Sequence, residues 1–329
     1  MVRTDVMTTN LEGNKQIFRL LSDVLAETRI PPYVELYVGL ICNIRCPYCY
    51  LPYKKRLANE IAIEEIIQKL DSMGMRNVEI LGGEPFLYRS KLLYIIDYAR
   101  KHDIKISAIS SNGLVYDKYL IDKIKEVGIG YLQISLDAAT SKTYKIVRAP
   151  NDGLFERVLG NIKRLVSTGI PISLSFVIMK PNMEEISSFV HMAKSLDVHR
   201  VSFGTVAPVG EGANVQKWFL TQKEYETVKS EINDLKKQFD GDIKIIFNES
   251  NEVHGGLCDA GISKVAVLPN GDIYPCGLFV GIPSFKIGNI YGKVDKEKLV
   301  TMFEQENINS DKYWERCVAC KISVGGVND

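Results

Sequence analysis

From residue 34 onward the chain alternates short apolar runs with amphipathic stretches. The runs lie at 34–41, 78–81, 104–109, 131–136, 172–178 and 201–206. Each is rich in Leu or β-branched residues and apolar on both parities, the pattern of a strand covered on both faces. Between the runs, apolar positions recur at helical spacing. Ile61, Ile63, Ile66, Ile67 and Leu70 form one stripe, and Leu154, Phe155, Val158, Leu159, Ile162, Leu165 and Val166 form another. Six strand–helix units at a pitch of roughly 30 to 45 residues predict a parallel sheet with crossover helices. An open barrel and a doubly wound sheet both satisfy this rhythm.

After about residue 212 the rhythm changes. A helical stretch at 221–239 leads into short segments punctuated by turns. Asn270-Gly271, between apolar runs at 265–268 and 273–274, is a hairpin signal. The expected organisation is an N-terminal arm over 1–33, an α/β body over 34–212 and a smaller C-terminal α+β unit over 213–329.

Composition narrows the classes. Of 329 residues, 46% are hydrophobic and 25% charged, which excludes a mainly disordered chain. Lys and Arg number 41 against 40 Asp and Glu, so no net charge draws the protein to nucleic acid or an anionic membrane. No apolar stretch is long enough for a membrane span. The apolar segment at 17–25 is interrupted by Arg19 and Asp23 and is not a signal-peptide core. Seven cysteines, an odd number without an export signal, fit thiolate ligands in a cytoplasmic protein better than a disulfide framework.

The cysteines divide three and four. Cys42, Cys46 and Cys49 read C-x3-C-x2-C directly after the first strand, where parallel α/β folds place their chemistry. Three thiolates in one loop can share a metal centre and leave a coordination position open. Structural zinc wants four protein ligands, and a fourth from one of the four histidines has no supporting spacing. Leu81-Gly82-Gly83-Glu84-Pro85 follows the second strand. Its glycines permit close backbone approach and its carboxylate can accept hydrogen bonds from an ammonium.

These motifs resemble the radical S-adenosylmethionine (SAM) superfamily, over roughly residues 34–212. The resemblance implies an open (β/α)6 partial TIM barrel, with Cys42, Cys46 and Cys49 holding a [4Fe-4S] cluster whose fourth iron is chelated by SAM. By the same resemblance Gly82, Gly83, Glu84 and Pro85 serve the SAM methionine moiety. Ser111 and Asn112 after the third strand, and Ser135 and Asp137 at the end of the fourth, correspond to positions that bind its methionyl and ribose portions. Tyr48 is suited to packing on adenine or to lining the barrel. Arg148 either pairs with the SAM carboxylate or sits on the surface.

Cys258, Cys276, Cys317 and Cys320 resemble the start of a SPASM/twitch extension, which binds auxiliary clusters. The resemblance implies a second [4Fe-4S] cluster held by these four residues, with a zinc ribbon as the competing reading of the C-x2-C step. What the family does is cleave SAM reductively to a 5′-deoxyadenosyl radical that abstracts hydrogen. The expected substrate is a peptide or protein, modified by cross-linking, epimerisation or oxidation, with the auxiliary cluster in electron transfer. A small-molecule dehydrogenase or cofactor-synthesis enzyme is the alternative within the family. A non-enzymatic Fe–S carrier or zinc-stabilised scaffold is the alternative outside it. The implied partners are a low-potential donor such as ferredoxin or flavodoxin and a separate leader-binding protein. No acid, base or radical-relay residue stands out.

Overall fold

The computed structural model describes residues 30–51, 56–247, 260–261, 263–295 and Lys298. One ten-stranded sheet organises them. The strands are β1 (Tyr33–Tyr37), β2 (Asn77–Leu81), β3 (Lys105–Ser111), β4 (Tyr131–Ser135), β5 (Ile172–Ile178), β6 (Arg200–Thr205), β7 (Lys244–Phe247), β8 (Lys264–Val267), β9 (Asp272–Tyr274) and β10 (Gly288–Asn289). Their order is β10-β9-β8-β1-β2-β3-β4-β5-β6-β7, parallel from β8 to β7 and antiparallel in β8-β9-β10. No pairing joins β7 back to β10 among the described residues, so the sheet is an open partial barrel.

The crossover helices are α1 (Ile63–Ser72), α2 (Arg89–Lys101), α3 (Lys118–Val127), α4 (Ser141–Val147), α5 (Leu154–Val166), α6 (Ile186–Ser195) and α7 (Gln222–Gln238). Their apolar stripes face the sheet: Ile63, Ile66, Ile67 and Leu70 of α1 are all buried, as are Phe155, Val158, Ile162 and Leu165 of α5. Each such side chain contributes about 1.5–3 kcal/mol by leaving water. Capping sets where helices begin. Asp117 accepts the Leu120 amide at the start of α3, and Thr221 and Glu224 form a reciprocal capping box at the start of α7. Phe176 of β5, Phe189 of α6 and Phe203 of β6 pack edge to face between sheet and helix layer.

The structure differs from the sequence reading beyond residue 212. Helix α7 follows β6 and completes the sixth β/α unit, and β7 adds a seventh strand parallel to β6. The Asn270-Gly271 hairpin forms as expected, but β8 then pairs in parallel with β1. Both segments therefore extend the barrel sheet, one at each edge. No helix among the described residues is long and apolar enough to cross a membrane.

Candidate functional site

The loops after β1, β2, β3 and β4 converge at one end of the sheet, around a cavity of ≈ 450 Å³ that runs into the barrel. Cys42, Cys46 and Cys49 all line it, each half-buried, together with Tyr48, Gly82, Gly83, Ser111, Asn112, Ser135 and Arg148. Most of the predicted site residues are thus brought to one wall. Glu84, Pro85 and Asp137 are not: they lie buried behind the lining.

The thiol loop is held by two clasps. On one side Gly83 donates its amide to the Gly39 carbonyl at 2.9 Å, and Glu84 donates to the Ile41 carbonyl at 3.0 Å. A Cβ on Gly82 would lie 2.6 Å from the Gly39 oxygen, and one on Gly83 2.4 Å from the Ile41 oxygen. Glycine is needed here because backbone packs on backbone, and what the Gly-Gly step approaches is the cysteine loop itself. On the other side Glu211 donates its amide to the Cys49 carbonyl at 2.8 Å, with Gly210 at φ 58° packed against the Tyr50 carbonyl.

Glu84 has a different position from the one its sequence suggests. It is fully buried, and its Oε1 accepts from the Phe86 amide at 3.0 Å and the Ser111 hydroxyl at 2.8 Å. Its Oε2 accepts from the Asn112 amide at 2.7 Å. Burial pushes this carboxyl upward, opposed by those three donors. It ties the loop after β2 to the end of β3, and Asn112 in turn donates to Asn43 Oδ1 at 2.7 Å and lies 3.7 Å from the Cys42 sulfur. Glu84 reaches the cysteine loop through Asn112.

Tyr48, Asp137 and Arg148 form a buried triangle. Tyr48 donates its hydroxyl to Asp137 Oδ2, and Arg148 Nη1 donates to Tyr48 at 3.0 Å and to Asp137 at 2.5 Å. Asp137 Oδ1 also accepts from the Val177 amide at 2.7 Å. Arg148, for which a surface position was one expectation, is only 6% exposed. Burial pushes the Tyr48 hydroxyl upward and keeps it a donor. Arg148 lines the cavity, and its buried Nε makes no hydrogen bond.

Deeper in the barrel the lining is polar: Glu35, Glu79, Ser110, Gln133, Ser175, Thr205 and Lys264. Sequence reasoning passed over these positions. Their signal is alternation within an apolar run, as in Val78-Glu79-Ile80 and Leu132-Gln133-Ile134. Glu35 and Glu79 stand side by side in register on β1 and β2. Lys264 pairs with Glu35 at 3.0 Å, and the Tyr33 hydroxyl donates to Glu79 at 2.8 Å. Burial first, and then the neighbouring Glu35, push the Glu79 carboxyl upward.

Cys276, at the end of β9, is buried and lines the same cavity. Next to it, the Gly277 amide donates to Glu35 at 2.7 Å. Cys258, Cys317 and Cys320 lie outside the described residues. Among the described residues no three His, Cys, Asp or Glu side chains are arranged to hold a single metal ion. Cys42, Cys46 and Cys49, gathered on one cavity wall, suit an iron–sulfur cluster, which takes its thiolates on separate irons.

Comparison with known proteins places the fold in a family. The Radical SAM superfamily matches residues 36–196. Among curated proteins, a GTP 3′,8-cyclase of Clostridium botulinum is 26% identical over 260 residues, covering 74% of this chain and 80% of that one. The antilisterial bacteriocin subtilosin biosynthesis protein AlbA of Bacillus subtilis is 26% identical over 96% of this chain and 72% of its own length. Among solved structures, Streptococcus suis SuiB bound to its precursor peptide SuiA superposes with a TM-score of 0.68 at 18% identity, covering 88% of this chain and 69% of that one.

Proposed function

The chain carries a radical SAM domain and is a radical SAM enzyme, and from that premise we propose that it acts on a peptide or protein rather than on a nucleotide. The observation that carries this reading is the charge of the barrel cavity. Its described lining holds two cations, Arg148 and Lys264, and two carboxylates, Glu35 and Glu79. Arg148 pairs with Asp137 and Lys264 with Glu35. A nucleoside triphosphate brings several negative charges and needs surplus Arg or Lys to hold them. The described lining has no surplus of cations, so the chemistry of the similar GTP 3′,8-cyclase is the less favoured reading. A neutral or cationic peptide segment meets no such conflict, and the similarity to AlbA and to SuiB with its precursor peptide supports the choice.

In this reading Cys42, Cys46 and Cys49 hold a [4Fe-4S] cluster, which with SAM supplies the radical chemistry when bound. The chain's own residues position and enclose. The Gly82-Gly83 step and Glu211 fix the thiol loop from two sides, the Arg148 guanidinium would place positive charge toward the carboxylate of SAM, and the barrel wall would keep water from the reacting carbon. Cys276, with Cys258, Cys317 and Cys320, would form the second, auxiliary site, and the segment after residue 212 would be the unit that carries it. A low-potential electron donor and a separate leader-binding protein complete the proposed partners, and the cytoplasm is the proposed compartment.

The test is anaerobic reconstitution with iron and sulfide, followed by SAM and dithionite. Formation of 5′-deoxyadenosine is the expected result, and its absence from an iron-loaded protein would remove the reading. Competition separates the substrate classes. GTP should neither bind nor be consumed, whereas tight GTP binding would overturn the peptide assignment. About eight iron per chain supports the auxiliary site, while about four with stoichiometric zinc would replace that cluster by zinc.

A further inference from the structure

The barrel cavity has two unlike sides. Strands β3 to β6 line it with Ser110, Gln133, Ser175 and Thr205, which are polar but uncharged. The adjacent strands β8, β1 and β2 line it with Lys264, Glu35 and Glu79. Glu35, on the middle strand, is engaged at both oxygens. Its Oε1 faces Lys264 Nζ at 3.0 Å, and its Oε2 accepts from the Gly277 amide at 2.7 Å. Glu79 is engaged at one oxygen. Its Oε2 accepts from the Tyr33 hydroxyl at 2.8 Å, whereas its Oε1 accepts no hydrogen bond among the described residues.

Two carboxylates on this side of the cavity therefore share one ammonium. The other titratable and charged groups around Glu79 do not supply a second. Burial keeps the Tyr33 and Tyr50 hydroxyls protonated. Arg200, at the start of β6, donates its Nε to Ser173 at 3.0 Å and lies over the Tyr131 ring at 3.7 Å. It makes no ion pair among the described residues. Burial first, and then Glu35, push the Glu79 carboxyl upward, against the opposing pull of Tyr33, Lys264 and Arg200. A further cation at Oε1 would offset both causes. In strand order Glu35 stands between Lys264 and Glu79, so a carboxylate would separate the two cations.

We propose that Glu79 is a specificity-determining residue of the barrel, its Oε1 receiving the primary ammonium of a lysine side chain carried by the peptide substrate. The proposal rests on the peptide reading of the cavity and names the side chain that reading leaves open. Depth favours lysine. Glu79 stands three residues before Gly82, which packs on the thiol loop. At the rise of a strand that is about 10 Å below the loop, and the four-carbon stem of lysine spans much of it. The acceptor favours lysine too. With Oε2 held by Tyr33 one oxygen is open, which suits a point charge better than the two-pronged guanidinium of arginine. The lysine backbone then stays near the strand ends that carry the thiols, while its ammonium is buried among carboxylates. Because the cation binds the ionised carboxylate, binding displaces the proton that the empty site favours.

The test uses the full, cluster-loaded chain with SAM and a set of acetylated, amidated pentapeptides with lysine, norleucine or arginine at the centre of four glycines. Binding is measured anaerobically by calorimetry in two buffers of different ionisation heat, which also reports protons released. The wild type should bind the lysine peptide about tenfold or more tightly than the norleucine peptide, with arginine between them. Lysine binding should release protons and tighten as pH rises from the ordinary carboxylate range toward neutrality. Glu79→Gln should bind the lysine and norleucine peptides alike and release no protons. It should unfold no earlier than the wild type at neutral pH, so lost binding is not lost folding. Glu79→Asp, which keeps the charge on a shorter stem, should retain part of the preference. A lysine preference that survives Glu79→Gln would overturn the proposal, as would failure of every peptide to bind. Equal binding of unacetylated pentaglycine would also overturn it and give the site to a chain-terminal amine. If the norleucine peptide binds the wild type as well as the lysine peptide does, the peptide reading stands and the lysine pocket alone falls. If no peptide binds while GTP does, the peptide reading itself falls.

Discussion

Tyr48, the residue just before the third thiol of the loop, donates its hydroxyl to Asp137 at the end of β4, 89 residues further along the chain. This bond and the Arg148 guanidinium that closes the triangle anchor the loop to the middle of the sheet. Without Arg148, Asp137 would keep a fully buried carboxylate with only neutral donors. Arg148→Met is therefore expected to cost about 3–5 kcal/mol in denaturant unfolding, and Tyr48→Phe, which leaves the ion pair standing, about 1 kcal/mol. Similar losses for the two would show that the pair is not the anchor.

The glycines that pack on the thiol loop should be intolerant in a specific way. Gly83→Ala places a Cβ 2.4 Å from the Ile41 carbonyl oxygen, where neither backbone can yield cheaply. Iron uptake on reconstitution should fall well below the wild-type ratio. Gly160, in the interior of α5, has nothing within 4 Å of an added Cβ. Gly160→Ala should leave iron content unchanged and stabilise the fold by roughly 0.5–1 kcal/mol.

Glu84→Gln offers a sharper test of what the acidic residue of the motif does. Every group that faces its carboxylate is a donor: two backbone amides and the Ser111 hydroxyl. A carboxamide would turn an NH2 toward one of them. The expected result is a loss of about 1–3 kcal/mol in stability, with slower or incomplete cluster assembly through the displaced Asn112. Weakened SAM binding by a fully stable, fully loaded variant would instead show direct contact with the ligand.

Glu79 should leave a signature in the pH dependence of stability. Its folded carboxyl is pushed above the ordinary value of 4.5, by burial first and by Glu35 second. The folded state therefore holds this proton after the unfolded chain has released it. Its contribution is fully present below about 4.5 and declines as pH rises through the folded value. Glu79→Gln removes that decline, so unfolding midpoints of variant and wild type should diverge in the variant's favour from acid to neutral pH. Parallel curves would mean that Glu79 is not held in this state.

How much of this could be read from the sequence depends on the range of the forces involved. The six apolar runs fall on β1 to β6 within a few residues, because strand periodicity and turn chemistry are local. The thiol loop was legible because three ligands fit within eight residues of one strand end. The seventh strand was not, since residues 244–247 are too few to carry a periodicity. The place of β8 beside β1 rests on a pairing between residues more than 200 positions apart, which no local pattern encodes. Glu84 invites a ligand role as an isolated carboxylate, and only the folded loops show that its partners are already supplied. The polar floor escaped notice because each strand contributes only one or two such residues, and the floor exists only once the strands stand side by side.

The pairing of β1 with β8 has a consequence for how the chain is made. As the protein emerges from the ribosome, β1 can find β2 early, but its other edge stays open until residues 264–267 arrive. Through that interval Glu35 lacks both the Lys264 ammonium and the Gly277 amide that later satisfy it. The nascent barrel thus has an unpaired strand edge beside an unneutralised carboxylate, which disfavours premature closure around the thiol loop. The wall that carries Cys276 is set only after residues 264–276 have been made, so the ligand loop stays accessible through that interval to whatever delivers iron.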